Sequence, residues 1–147
     1  MMNNKTRNIY FAGPWFTPRD KFLMDFCISV AQRDNGNRFK VYFPMLNQYK
    51  TPKETYDANV REINNAHTVI ALVESKDVGT AYELGIAMAL KKNIILMAYD
   101  EDAFKRKTNI MLAFCTNICT TVDQLKFILR GMPFKTISME NSWEGKE

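Results

Sequence analysis

The chain has 147 residues, of which 46% are hydrophobic and 24% charged, and its formal net charge is +4. That length suits one domain, 1–147, able to bury roughly two-thirds of the surface its unfolded chain would expose, and the composition excludes a disordered, fibrous or repetitive protein. The basic residues are scattered, and their densest group, Lys105-Arg106-Lys107, follows directly on Asp100-Glu101-Asp102, which argues against a nucleic-acid partner.

The amino-terminal stretch Met1 to Asn8 is polar and lacks a signal-peptide core, and no apolar run approaches the ~20 residues of a membrane span, so a cytoplasmic protein without membrane contact is expected. Asn8 to Gly13 reads as a first strand, and Thr17-Pro18 as an N-cap with proline at the first helical position. A helix follows from about Pro18 to Arg33, with Phe22, Phe26, Ile28 or Ser29, Val30 and Ala31 as its apolar stripe. Phe39 to Phe43 is a short second strand closed by Pro44, and Met45 to Pro52 a polar loop. Lys53 to Asn65 reads as a second helix with Tyr56, Val60 and Ile63 inward, feeding an apolar strand, Thr68 to Val73. The corner Asp77 to Ala87 opens a helix that runs to Lys92, and Asn93 to Tyr99 is almost wholly apolar, as in a strand covered on both faces. Asp100 to Thr108 is charged surface, Asn109 to Phe114 the start of a short helix, Asn117 to Thr121 a fifth strand and Val122 to Arg130 a last helix. The tail 131–147 has no clear period.

Strands alternating with helices at this spacing predict an α/β fold: a doubly wound, five-stranded parallel sheet, flavodoxin-like, with order 2-1-3-4-5. Ligands of such sheets bind beyond the carboxyl ends of the strands, and here the loops after strands one and three lie side by side. Tyr10, Trp15, Phe16, Asn47, Gln48, Asp77 and Glu83 can all reach that cleft. Gly79, Ala81, Gly85, Ala87 and Ala89 are expected to let the third helix lie close to the sheet, holding Glu83 on a rigid element.

A cleft with aromatic faces, side-chain amides and two carboxylates suits a planar heterocycle attached to a sugar. Trp15 or Phe16 can stack on the ring, Asn47 or Gln48 can pair with its edge, and Asp77 can accept hydrogen bonds from sugar hydroxyls. Glu83, expected to be ionised at a helix start, can stabilise or trap an oxocarbenium-like centre when an N-glycosidic bond breaks. Singly, each residue also has an ordinary structural role open to it: core packing for the aromatics, a loop surface for Gln48, a turn or cap for Asp77, the helix dipole for Glu83. Ala12-Gly13-Pro14-Trp15 cannot form a glycine-rich phosphate cradle, no Gly-x-Ser-x-Gly elbow is present, and His67 at the start of a strand reads as structural. Cys27, Cys115 and Cys119 read as reduced core thiols. With one histidine in the chain, no metal site is expected.

In combination, Ile9-Tyr10-Phe11-Ala12-Gly13 with Trp15-Phe16, the loop Asn47-Gln48-Tyr49-Lys50, the corner Asp77-Val78-Gly79 to Tyr82-Glu83-Leu84-Gly85, and Asn109-Ile110-Met111 resemble the nucleoside 2-deoxyribosyltransferases, in the family's order from residue 9 to about 130. The resemblance implies Glu83 as covalent nucleophile, Tyr10 orienting it, Asp77 on the sugar, and Gln48 and Phe16 on the base. Gly13, Trp15, Asn59 and Met111 join them as substrate contacts, and Asn109 comes from a neighbouring subunit. It further implies ping-pong transfer of a 2-deoxyribosyl group from a deoxynucleoside to a free nucleobase, without cofactor or metal, by a homo-oligomer with shared sites. The sequence departs from the family in two places. The acids usual on the second helix and just after it are replaced by Asn59 and His67, and an amide is no general acid at neutral pH. Asp57 lies about 200° around the helix from Asn59 and does not substitute. Pro14 also stands where a glycine commonly precedes the tryptophan. Two further readings stay open: an N-glycosidase releasing the base to water, and a non-enzymatic nucleotide-binding module.

Overall fold

Among the described residues, three of the four helix starts are written as capping boxes. Thr17 with Asp20, Thr51 with Glu54, and Thr121 with Gln124 each exchange side-chain-to-backbone hydrogen bonds across the first turn. Prolines at Pro18 and Pro52 preset the first helical φ of two of them. The computed structural model describes residues 6–33, 38–47, 49–73, 77–98 and 117–131. In chain order it contains β1 (Arg7–Ala12), α1 (Pro18–Gln32), β2 (Phe39–Tyr42), a 3-10 turn (Pro44–Asn47), α2 (Pro52–Asn65), β3 (Thr68–Leu72), α3 (Val78–Ala89), β4 (Asn93–Met97), β5 (Asn117–Cys119) and α4 (Val122–Leu129).

The five strands form one parallel sheet in the order β2-β1-β3-β4-β5, as the alternation of elements predicts. Successive side chains of a strand point to opposite faces, so β1 divides its residues between two cores. Ile9 and Phe11 pack with Leu23, Met24, Cys27 and Leu125 on the side of α1 and α4. Tyr10 and Ala12 pack with Ile63, Leu84 and Ala87 on the side of α2 and α3. The period of the strand thus delivers Tyr10 to the face that α3 covers.

Several expected faces are corrected. Phe22 and Phe26 are 68% and 49% exposed and stack on each other at 6.3 Å, because α1 turns Leu23, Met24 and Cys27 inward in their place, beside Val30 and Ala31, which are buried as expected. Tyr56 is also exposed, and α2 buries Ala58 with Ile63. On α3 the face against the sheet is Thr80, Leu84 and Ala87, whereas Ala81, Gly85 and Ala89 look outward. That helix stops at Ala89 rather than Lys92, and Lys91 turns the chain with φ of 55°. The expected short helix from Asn109, the charged stretch before it and the tail lie outside the described residues.

Two glycines respond oppositely to an added methyl group. At Gly13 a Cβ would overlap the Met24 sulfur and stand 3.3 Å from Leu72 Cβ. Gly13→Ala is therefore expected to cost about 1–3 kcal/mol, read as a lower urea midpoint at unchanged m value. At Gly85 a Cβ meets nothing within 4 Å. Gly85→Ala, inside a helix, should raise stability by about 0.5–1 kcal/mol.

Candidate active site

The carboxyl ends of β1 and β3 and the start of α3 meet around a cavity of about 230 Å³, lined by Gly13, Trp15, Phe16, Pro44, Thr55, Asn59, Asp77, Gly79, Thr80 and Glu83. Six residues singled out in the sequence, Gly13, Trp15, Phe16, Asn59, Asp77 and Glu83, share this wall. Thr55, Asn59, Gly79 and Glu83 also border a larger groove between α2 and α3, about 680 Å³, that carries Tyr49, Tyr56 and Tyr82. Trp15 and Phe16 stack on each other with ring centres 5.1 Å apart, and Phe16 is 69% exposed. They are a free aromatic platform rather than core.

Asp77 is the N-cap of α3: Oδ2 accepts from the Thr80 backbone N–H at 2.7 Å and from the Thr80 hydroxyl at 2.8 Å. One carboxylate oxygen is thereby committed to the helix, and the role of cap coexists with a place in the cavity wall. Glu83 lies in the second turn of α3, not at its start, so the helix dipole does little for it. Burial dominates: it pushes the Glu83 carboxyl up from 4.5 to about 7, Tyr10 pulls against that, and the Asp77 charge adds to it. Glu83 is therefore evenly divided between its two forms near neutrality, where the sequence suggested a fully ionised group.

Tyr10 is wholly buried, and its hydroxyl makes no hydrogen bond of normal geometry within the described residues. The group it faces is Glu83, and burial followed by the Glu83 charge raises the phenol well above its usual range. It stays a proton carrier, able to donate to a carboxylate but not to ionise. A donor poised beside a half-protonated acid can close a hydrogen bond when Glu83 ionises.

Asn59 accepts a hydrogen bond from the Tyr42 hydroxyl at 3.2 Å. Asp57 is turned out to solvent and pairs with Lys53, so it does not replace the missing acid. Asn47, expected to reach the cleft, instead donates its amide to the Phe43 carbonyl at 2.8 Å and holds the 3-10 turn. Gln48, Asn109 and Met111 lie outside the described residues. Thr55, Thr80 and Pro44 line the cavity without having been read from sequence, since small polar and turn residues there look the same as ordinary caps. His67 sits at the opposite end of β3 from the cavity, its Nδ1 2.8 Å from the Thr68 hydroxyl.

No set of three His, Cys, Asp or Glu side chains that could hold a metal ion occurs among the described residues. Cys27 and Cys119 are both buried, and burial, with Cys27 adding to it, pushes the Cys119 thiol up to about 12. Neither is a reactive thiol. Among the described residues no helix is long and apolar enough to cross a membrane.

Residues 9–132 match the family model for nucleoside 2-deoxyribosyltransferase. The chain belongs to this family. It is 25% identical over 138 residues to a nucleoside deoxyribosyltransferase of Lactobacillus leichmannii, covering 82% of this chain and 87% of the relative. A 2-deoxyribosyltransferase from Leishmania mexicana superposes with a TM-score of 0.67 at 22% identity, over 84% of this chain and 97% of that one. A CMP N-glycosidase of Clostridium botulinum also superposes, with a TM-score of 0.57 at 17% identity, over 84% of this chain and 98% of that one. The two structural likenesses speak to the fold alone. Within the family's matched span fall every cavity residue named above and all of the described sheet but Arg7 and Asn8 at the start of β1.

Proposed function

We propose that this member of the 2-deoxyribosyltransferase family moves a 2-deoxyribosyl group between nucleobases through a glycosyl ester on Glu83. The observation that carries the reading is a half-buried glutamate, with its carboxyl pushed up to about 7, facing Tyr10 and sharing a cavity with an exposed aromatic platform. A base rests on Trp15 or Phe16, and the sugar lies toward Asp77 and Glu83. The ionised Glu83 oxygen attacks C1′, the C1′–N bond breaks, and its electron pair leaves with the base. Tyr10 donates to the other Glu83 oxygen and holds the carboxylate in line. A second base then attacks C1′ from the opposite side, its nitrogen forming the new bond as the ester oxygen leaves. Two inversions give retention.

The reading includes a homo-oligomer in which Asn109 and Met111 reach the cavity of a neighbouring copy, and Gln48 meeting the base edge. Incubation of the protein with a deoxynucleoside and a second free base tests it. A new deoxynucleoside is expected; release of free base and deoxyribose alone, at equal rate with and without the second base, would contradict transfer.

The hydrolytic reading has one specific observation behind it, the amide of Asn59 where an acid is usual. Asp77 weighs against a 5′-monophosphate as substrate, since a carboxylate in the cavity wall repels a phosphate dianion. If the missing acid limits departure of poor leaving bases, Asn59→Asp is expected to raise their turnover about a hundredfold, the low end of what a positioned general acid supplies. Kinetic constants unchanged for every base would mean that the position does not handle the proton.

A further inference from the structure

We propose that Tyr42 is a positioning residue that fixes the Asn59 amide, making this wall of the cavity a hydrogen-bond donor that selects ligands carrying an acceptor there. The inference rests on the reading of the cavity as the substrate site and deepens it by naming what the site selects.

Tyr10 and Tyr42 are register partners on β1 and β2 and so project to the same face of the sheet. Their rings stack with centres 5.5 Å apart and planes at 23°, and Tyr10 is wholly buried, so the Tyr42 ring is backed on one side by a core residue. That ring aims its hydroxyl at Asn59 Oδ1, 3.2 Å away. Burial, with Tyr49 and Glu62 next, pushes the Tyr42 phenol up to about 12, so it keeps its proton at any working pH. A phenol has one hydrogen to give; Tyr49 also comes near the Tyr42 hydroxyl, but the bond whose geometry is met runs to Asn59 Oδ1. The amide is then set with its oxygen toward β2, which leaves the Nδ2 hydrogens as the part of Asn59 that meets a ligand. Asn59 lines the cavity beside Glu83, so that donor faces what binds there. A ring nitrogen or carbonyl oxygen would be favoured at this point, and a C–H or N–H group disfavoured, because a polar wall group left unpaired costs more than a pair gains.

The test compares wild type, Tyr42→Phe, Asn59→Ala and the double variant, with bases and their deaza analogues as acceptors. Tyr42→Phe keeps the ring stack and removes only the hydroxyl. It should raise KM for the parent base about threefold to tenfold, the worth of one neutral hydrogen bond, and narrow the preference for parent over deaza analogue by a similar factor. In the Asn59→Ala background the same change should do nothing further, as expected of two residues acting as one unit. Full additivity of the two variants, or an unchanged parent-to-deaza ratio in Tyr42→Phe, would overturn the proposal. A lowered melting temperature with KM and the ratio unchanged would make Tyr42 merely structural and overturn it as well. A wild-type protein without any base exchange or base release would fail the functional reading itself, a result separable from all of these.

Discussion

Replacing Glu83 with alanine is expected to lower base exchange by at least about a hundredfold while the chain stays folded, since loss of the nucleophile removes about 3 kcal/mol or more of transition-state stabilisation. The fold should survive because Thr80, Leu84 and Ala87 carry the packing of α3 against the sheet, and the helix is capped by Asp77. Circular dichroism and the urea midpoint check folding, and product chromatography the rate. A folded variant that kept more than a hundredth of the activity, as an order of magnitude, would leave Glu83 without a covalent role.

The second large effect is on pH. The Glu83 carboxyl sits near 7 because burial disfavours its charge, and only the ionised form attacks C1′. In the free enzyme kcat/KM should therefore fall about tenfold per unit below that point and level off above it. A carboxylate with an ordinary pKa would instead give a flat profile from pH 5 to 8. Stability should run the other way. In the unfolded chain Glu83 loses its proton near 4.5, whereas in the native state it keeps it up to about 7, so between those values the native protein binds more protons and stability falls as pH rises. The cost is fully developed above 7 and absent below 4.5. Glu83→Gln cannot ionise, so it should be more stable than wild type by roughly 1–3 kcal/mol at pH 8, allowing for partial exposure of the side chain, and equal to it at pH 4. An inactive variant gaining stability at high pH only would mark Glu83 as a residue held at the expense of the fold.

The strand order followed from the alternation of apolar runs with helical segments, and the start of α1 from Thr17-Pro18, whereas the capping boxes at Thr51 and Thr121 are findings of the structure. What misled was local. Phe22 and Phe26, four apart on α1, look like a core stripe, but their neighbours Leu23 and Cys27 fill that space and the two rings cover each other instead. The outward Ala81, Gly85 and Ala89 cannot be told from an inward small-residue face by composition, because both follow the helical period. The end of α3 has no glycine or asparagine to announce it, and Lys91 takes the left-handed turn without one.

At the site, the residue types and their order could be read, and Gly13, Trp15, Phe16, Asp77 and Glu83 do converge. Their electrostatics could not. The shift of Glu83 depends on how deeply α3 sets it against Tyr10, and the double duty of Asp77 on a hydroxyl three residues away. Nor does spacing reveal that Tyr42, on the neighbouring strand, reaches Asn59 on α2. Such contacts are made by packing across elements.

The central claim is a covalent bond between C1′ and Glu83, and it can be weighed directly. The protein is mixed with a deoxynucleoside in the absence of a second base, quenched in acid within one turnover, and measured by intact and peptide mass spectrometry. The account predicts a mass increase of one 2-deoxyribosyl group, confined to the peptide that carries Glu83, which disappears when a free base is added before the quench. Free base released in step with turnover while the protein mass never changes, or an adduct on any other residue, would contradict it.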